Sequence, residues 1–334
     1  MLRRVIAALL IILAAQVTSI ASAYINVTVT IPVEAYALRQ AFGNLLHINV
    51  LVSGYVNPHY VPVTTSMVKT VLSSQIYVPL WHLPLEYRLA SLAETQGVSV
   101  PSLQSYEKNG LIFLKYPETN LNNTHGWWLY PKNILALVKS VGQLIEKKFP
   151  QYQIVVHEDI DRFSNEIELL ENNLLIIGER LRKDIENKRI TIICACPALQ
   201  YLMKSLGLDC IVLREVSQVV KVSHLPHGEL LVLLADFQRG TKIDYYMHSL
   251  VERVGGLVVY IPILGIENLN MTYSEYMMYI VGKVREAVQS MQATSSSIAH
   301  AGETMYIYVM YVLIVVTSIM LVLTVSALRR LSLR

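Results

Sequence analysis

Ile25, Val27, Val29 and Ile31 alternate with Asn26, Thr28 and Thr30. That period of two is a strand's, and the pattern turns helical over 33–42. Apolar runs at 48–52 and 76–80, bounded by turn residues, read as buried parallel strands. Between them Thr64 or Thr65 caps a helix that runs to about Leu72. A helix fits 85–95 and a strand fits 111–114. Pro131 then opens a helix that ends near Phe149-Pro150. From Asp159 to Asn187, Ile160, Phe163, Ile167, Leu170, Leu174, Ile177, Leu181 and Ile185 recur every three or four residues, with charges on the other faces. Gly178 is the only Gly or Pro within it. This helix is longer than a usual globular one and reads as a strut. Strands at 190–195, 210–213, 230–235 and 257–261 follow, with helices at 197–205, 245–254 and 273–291. The expected fold is α/β: two lobes with parallel sheets, residues 24–155 and 189–292, joined by a long rigid helix over 156–188. No repeat with a period of 20–50 residues is present. Parallel sheets of this kind bind ligands beyond the C-terminal strand ends, and a cleft between lobes is the default site.

The two ends follow other patterns. Residues 1–23 read as a secretory leader: Arg3 and Arg4, an apolar run from Val5 to Ala15, then Ala21-Ser22-Ala23. The mature chain would start at Tyr24, the alternative being an uncleaved N-terminal anchor. Residues 304–328 carry no charge. At about 1.5 Å per residue they can cross a hydrocarbon core of about 30 Å as a transmembrane helix. Tyr306, Tyr308 and Tyr311 stand at its start, and Arg329, Arg330 and Arg334 follow it. Positive residues stay inside, so the tail 329–334 is cytoplasmic and the body of the chain is extracellular. The polar stretch 293–303 is a linker. Asn26, Asn122 and Asn270 head glycosylation triplets, which occur often by chance.

The net charge of +3 is diffuse and no basic cluster interleaves with aromatics, which argues against nucleic acid as a partner. Three cysteines, Cys194, Cys196 and Cys210, are too few for a disulfide framework, so the ectodomain must rely on its core. A Cys194–Cys210 bridge between neighbouring strands is one pairing open to them. The 20 Tyr beside 5 Phe are an unusual balance without an account at this level.

Candidate chemistry lies in loops that close strand–helix units. His59 in Asn57-Pro58-His59-Tyr60 follows one strand. His125 in Thr124-His125-Gly126-Trp127 precedes the helix opened by Pro131. Neutral imidazole is a common zinc ligand. Cys196 ends the strand at 190–195 before Pro197. At a helix N-cap the dipole would lower its pKa and make it a soft thiolate ligand. The bland alternatives are ordinary loop histidines and a buried cysteine without a role. His82, which follows Trp81, and Asp236, His224 and His227 are additional candidates for closing the shell. An extracellular enzyme using Cys196 with a histidine is a rival reading, but no general base stands at matching spacing.

These segments resemble the solute-binding proteins of zinc and manganese ABC importers over most of residues 25–292. That family has a Pro-His after its second strand, a Pro-His-x-Trp, a long connecting helix, a His or Glu before small-x-x-Tyr, and a Tyr-rich last helix. Here Pro58-His59, His125-Gly126-Trp127, the helix at 159–187, Cys196-Pro197-Ala198-Leu199-Gln200-Tyr201 and Tyr273-Ser274-Glu275-Tyr276 take those places. The resemblance implies a non-enzymatic binder with His59, His125 and Cys196 as metal ligands. It would carry Zn²⁺, or alternatively Mn²⁺, to an ABC permease. Two departures stand out: Cys196 replaces His or Glu, and Ile261 stands where the family has an Asp. They motivate an alternative, a degenerate relative binding another ligand or acting as a surface scaffold. The tether suits a cell with a single membrane, archaeal before Gram-positive. Histidine ligation predicts affinity falling as pH drops through about 6.5.

Overall fold

A computed structural model of the chain describes residues 24–214, 229–267, 270–291 and 310. The leader at 1–23, the linker at 293–303, the span at 304–328 apart from Met310, the tail at 329–334, and His224 and His227 lie outside the described residues. Among the described residues no helix is long and apolar enough to cross a membrane. The described residues up to Val284 form one compact unit, and those from Arg285 belong to another.

The first lobe is built on β1 (Ile25–Val29), flanked by β2 (Leu46–Val50) and β3 (Ile76–Val78) in the parallel order β2-β1-β3. Because β1 lies between its partners, Val27 and Val29 are fully buried. Helix α1 (Pro32–Phe42) starts on a proline, whose missing N–H has no partner to lose there. Thr64 Oγ1 accepts the Met67 N–H at 3.2 Å and starts α2 (Thr65–Leu72). α3 (Pro84–Thr95) also opens on proline.

Two short elements escaped the sequence pattern. One is α4 (Leu103–Lys108), started by the Ser102 side chain. The other is an antiparallel pair, β4 (Leu114–Lys115) with β5 (Asn122–Asn123). The strand expected at 111–114 is reduced to β4, because only that end finds a partner. α5 (Pro131–Lys148) follows.

The 36-residue α6 (Gln153–Lys188) begins at Gln153 rather than Asp159, since the turn Pro150–Tyr152 feeds straight into it. It buries Val156, Phe163, Ile167, Leu170, Leu174, Gly178 and Leu181 along one stripe, as the spacing predicted. Ile160, Ile177 and Ile185 lie at the stripe's edge, half-buried.

The second lobe holds β6 (Thr191–Cys194), β7 (Ile211–Val212), β8 (Leu230–Ala235) and β9 (Gly256–Ile261), all parallel in the order β7-β6-β8-β9. All six residues of β8 are buried, matching its unbroken apolar run. Val232 and Leu234 pack with Met247 and Leu250 of α8 (Lys242–Val254). α7 (Leu199–Ser205) lies between β6 and β7, and α9 covers 273–291. Cys194 and Cys210 form a disulfide.

Buried tyrosines tie main chain within the second lobe and across to the first. Tyr36 Oη donates to Ile266 O at 2.5 Å, Tyr276 Oη to Pro262 O at 2.8 Å and Tyr273 Oη to Trp128 O at 2.9 Å. Tyr201 Oη accepts the Leu114 N–H at 2.9 Å. A phenylalanine there would bury the same ring and leave these backbone groups unpaired. At these four positions the hydroxyl is what tyrosine adds over phenylalanine.

Candidate metal centre

Three loops of the first lobe each present one histidine. After β2 the chain makes a tight turn, Pro58–Tyr60, in which Asn57 Oδ1 accepts the His59 N–H at 3.1 Å. His82 lies in the loop between β3 and α3. His125 lies between β5 and α5, where its N–H donates to Asn123 Oδ1 at 3.0 Å. Gly126 comes next at φ +77, in the left-handed region. It packs so closely on Ala198 that a Cβ would collide with it. The loop is fixed from the second lobe as well: Asn123 Nδ2 donates to Pro197 O at 2.9 Å and to Gln200 Oε1 at 2.8 Å.

One donor atom from each of His59, His82 and His125 lies within 4.8 Å of the others. His59 Nε2 and His82 Nε2 are 3.2 Å apart. The rings of His82 and His125 meet edge-on, with centroids 4.3 Å apart. The outer ring nitrogens have partners of their own. Tyr116 Oη is 3.2 Å from His125 Nδ1, and Thr124 Oγ1 is 3.5 Å from His82 Nδ1. An Nδ1–H donated to Tyr116 leaves His125 Nε2 as its ligand atom.

Burial pushes His82 down to about 3, with help from the positive charge His125 and His59 would carry. Burial, then His59 and Arg214, push His125 down to about 4. Burial lowers His59 too. All three imidazoles are therefore neutral at pH 7, the form that binds a metal.

The other sequence-predicted residues lie outside this group. Cys196 is a buried thiol not engaged in the disulfide, and burial pushes it up to about 12. The expected lowering at a helix N-cap fails because α7 starts at Leu199, beyond the Cys196-Pro197 turn. Asp236 follows β8 in the turn Asp236–Gln238 and lies 3.7 Å from Arg239 in an ion pair. Ile261 ends β9, fully buried. His82 was a secondary candidate in the sequence. Its signal was the position just after β3, on the strand edge beside β1 where the loop after β2 also emerges.

A two-lobed α/β shell with parallel sheets, a long connecting helix and a histidine group at one lobe's strand ends defines a solute-binding protein. The family profile described as "ZnuA: Zinc-uptake complex component A periplasmic" matches residues 27–287. The chain belongs to this family of metal-binding solute-binding proteins of ABC importers, whose members are non-enzymatic transport components.

Solved structures share the fold. A ZnuA crystal structure is 18% identical with a TM-score of 0.62, covering 79% of this chain and 99% of its own. The periplasmic zinc binding protein TroA from Treponema pallidum is 14% identical with a TM-score of 0.62, covering 79% and 99%. The solute-binding protein FpvC from Pseudomonas aeruginosa, in complex with Mn²⁺, is 15% identical with a TM-score of 0.61, covering 80% and 99%. No curated protein sequence matches the chain.

Proposed function

We propose that this chain captures a divalent transition metal outside the cell and passes it to the permease of an ABC importer, with zinc preferred over manganese. Its ligands in this reading are His59, His82 and His125. One observation carries the proposal: three nitrogen donors from three separate loops lie within 4.8 Å of one another. Imidazoles so close repel one another when protonated, and a shared ion gives them a reason to converge. Zn–N bonds of about 2.0–2.1 Å place tetrahedral donors about 3.3–3.4 Å apart. The 3.2 Å between His59 Nε2 and His82 Nε2 is near that edge length. A neutral, all-nitrogen set suits Zn²⁺, whereas Mn²⁺ favours oxygen. The apolar segment 304–328 would hold the binder at the surface of a single-membrane cell and raise its local concentration near the permease.

Metal content of the protein purified without chelator tests this reading. The expected result is one equivalent of zinc in the native chain, its loss in His59→Ala, His82→Ala and His125→Ala, and its retention in Cys196→Ala. A metal-free native chain would favour the degenerate relative, which binds another ligand or serves as a surface scaffold. Ile261 and the buried Cys196 support that second reading.

A further inference from the structure

Residues 79–83 form the loop that delivers His82, and side chains take three of its N–H groups and three of its carbonyls. Glu86, on the first turn of α3 and fully buried, accepts three backbone N–H groups. Leu80 donates to Oε1 at 2.8 Å, while His82 and Leu83 donate to Oε2 at 2.8 Å each. Three aromatic side chains take the carbonyls. Tyr106 Oη donates to Pro79 O at 2.9 Å, Trp127 Nε1 to Leu80 O at 3.2 Å and Tyr87 Oη to Trp81 O at 2.9 Å.

Trp81, immediately before His82, has φ +56, a left-handed conformation that is rare and strained for a bulky residue. Such strain persists only where the surroundings over-determine it, and it clusters at functional sites. The strained residue turns the chain so that His82 faces His59 and His125.

Glu34 provides an internal comparison. It occupies the same position in α1 that Glu86 holds in α3, three residues into a helix opened by proline. It is also fully buried, and its Oε2 accepts the N–H groups of Thr30 at 2.8 Å and Ile31 at 2.9 Å. The loop it holds, after β1, carries no histidine. The two carboxyl groups thus do the same structural work on neighbouring loops, and only one loop bears a ligand.

We infer that Glu86 is a positioning residue for the metal site: it clamps the strained Trp81-His82 turn so that the third imidazole stands ready before the metal arrives. This rests on the three-histidine reading of the site. A preset ligand avoids ordering the loop at the moment of binding, which is where affinity is gained.

The test compares Glu86→Gln with Glu34→Gln, His82→Ala and the double variant Glu86→Gln/His82→Ala in the full chain. The readouts are the zinc Kd from chelator competition, the visible spectrum of the Co²⁺-loaded protein, and the urea midpoint without metal. At 86 a glutamine keeps one acceptor oxygen but turns an NH₂ towards the N–H of Leu80 or those of His82 and Leu83; at 34 both donors meet Oε2 and Oε1 has no partner, so the amide oxygen can keep both, and Glu86→Gln lowers the midpoint more than Glu34→Gln. Only Glu86→Gln is expected to raise the zinc Kd, by about 10–100-fold as for partners that orient metal ligands, and to weaken the Co²⁺ absorption of a low-coordinate site. In the His82→Ala background Glu86→Gln adds no further loss.

Equal loss of affinity in Glu34→Gln and Glu86→Gln overturns the inference, since general loosening would then suffice. So does a Glu86→Gln protein with native Kd and spectrum beside a weakened His82→Ala. A His82→Ala protein with unchanged affinity would instead reject the three-histidine site itself.

Discussion

His82 and His125 resist protons because their surroundings strip water from the imidazolium, holding them at about 3 and about 4. Proton competition with the metal therefore sets in below the reference value of about 6.5 that an ordinary loop histidine would give. Three ordinary imidazoles would lose affinity about a thousandfold per pH unit below 6.5. Here His82 and His125 stay neutral well below that, and burial lowers His59 as well, so zinc affinity between pH 7 and 5 should fall with at most one proton's slope. A steep, multi-proton fall centred near pH 6.5 in competition titrations would contradict this. The same depression acts on folding. The unfolded chain takes up protons below about 6.5 and the folded one does not, so the metal-free protein loses stability as pH drops from there towards about 4. The loss is about 1.4 kcal/mol per pH unit for each buried imidazole. His59 and His125 were legible in the sequence because each follows or precedes a strong element signal within a tight loop. His82 ranked lower because its neighbours depend on β3 lying beside β1, which no local pattern encodes. Cys196 drew attention because a strand end followed by proline resembles a helix cap, while the helix itself starts at Leu199 and the thiol lies outside the histidine group.

Gly178 decides how the long helix α6 meets the second lobe. A Cβ there would run into the Leu206 carbonyl oxygen, which belongs to main chain and has little room to give. Helix propensity alone favours alanine over glycine by about 1 kcal/mol. Close packing against backbone reverses the sign, and Gly178→Ala should destabilise the protein by about 1–3 kcal/mol in urea unfolding. A gain in stability would show that the contact yields easily. The position was readable as the lone interruption in the apolar stripe, although its partner was not. Among the elements, the unbroken run of β8 and the period of α6 were the plainest, since each repeats over many residues. α4 and the β4–β5 pair were missed because six residues or two supply too few repeats of any period.

Lobe motion is settled by what joins the two halves. All three imidazoles come from loops of the first lobe, so assembling the site requires no donor from the second. The lobes are also stapled close to that site. Trp128 Nε1 donates to Ile263 O at 2.7 Å, Asn123 bonds Pro197 and Gln200, and Gly54 lies so near Gly265 that no side chain would fit between them. α6 adds a rod whose buried stripe runs along most of its length. A hinge needs a few residues free to change φ and ψ, and these links leave the crossings little freedom. X-ray scattering of the metal-free and zinc-loaded protein should therefore give radii of gyration that differ by less than about 1 Å, the scale of side-chain and loop adjustment. A compaction of several ångströms on loading would mean that the inter-lobe bonds break and re-form. The second lobe would then have to supply a ligand after all, and the β6–α7 turn that carries Cys196, packed through Ala198 on Gly126 and bonded through Pro197 to Asn123, would be the first place to look for it.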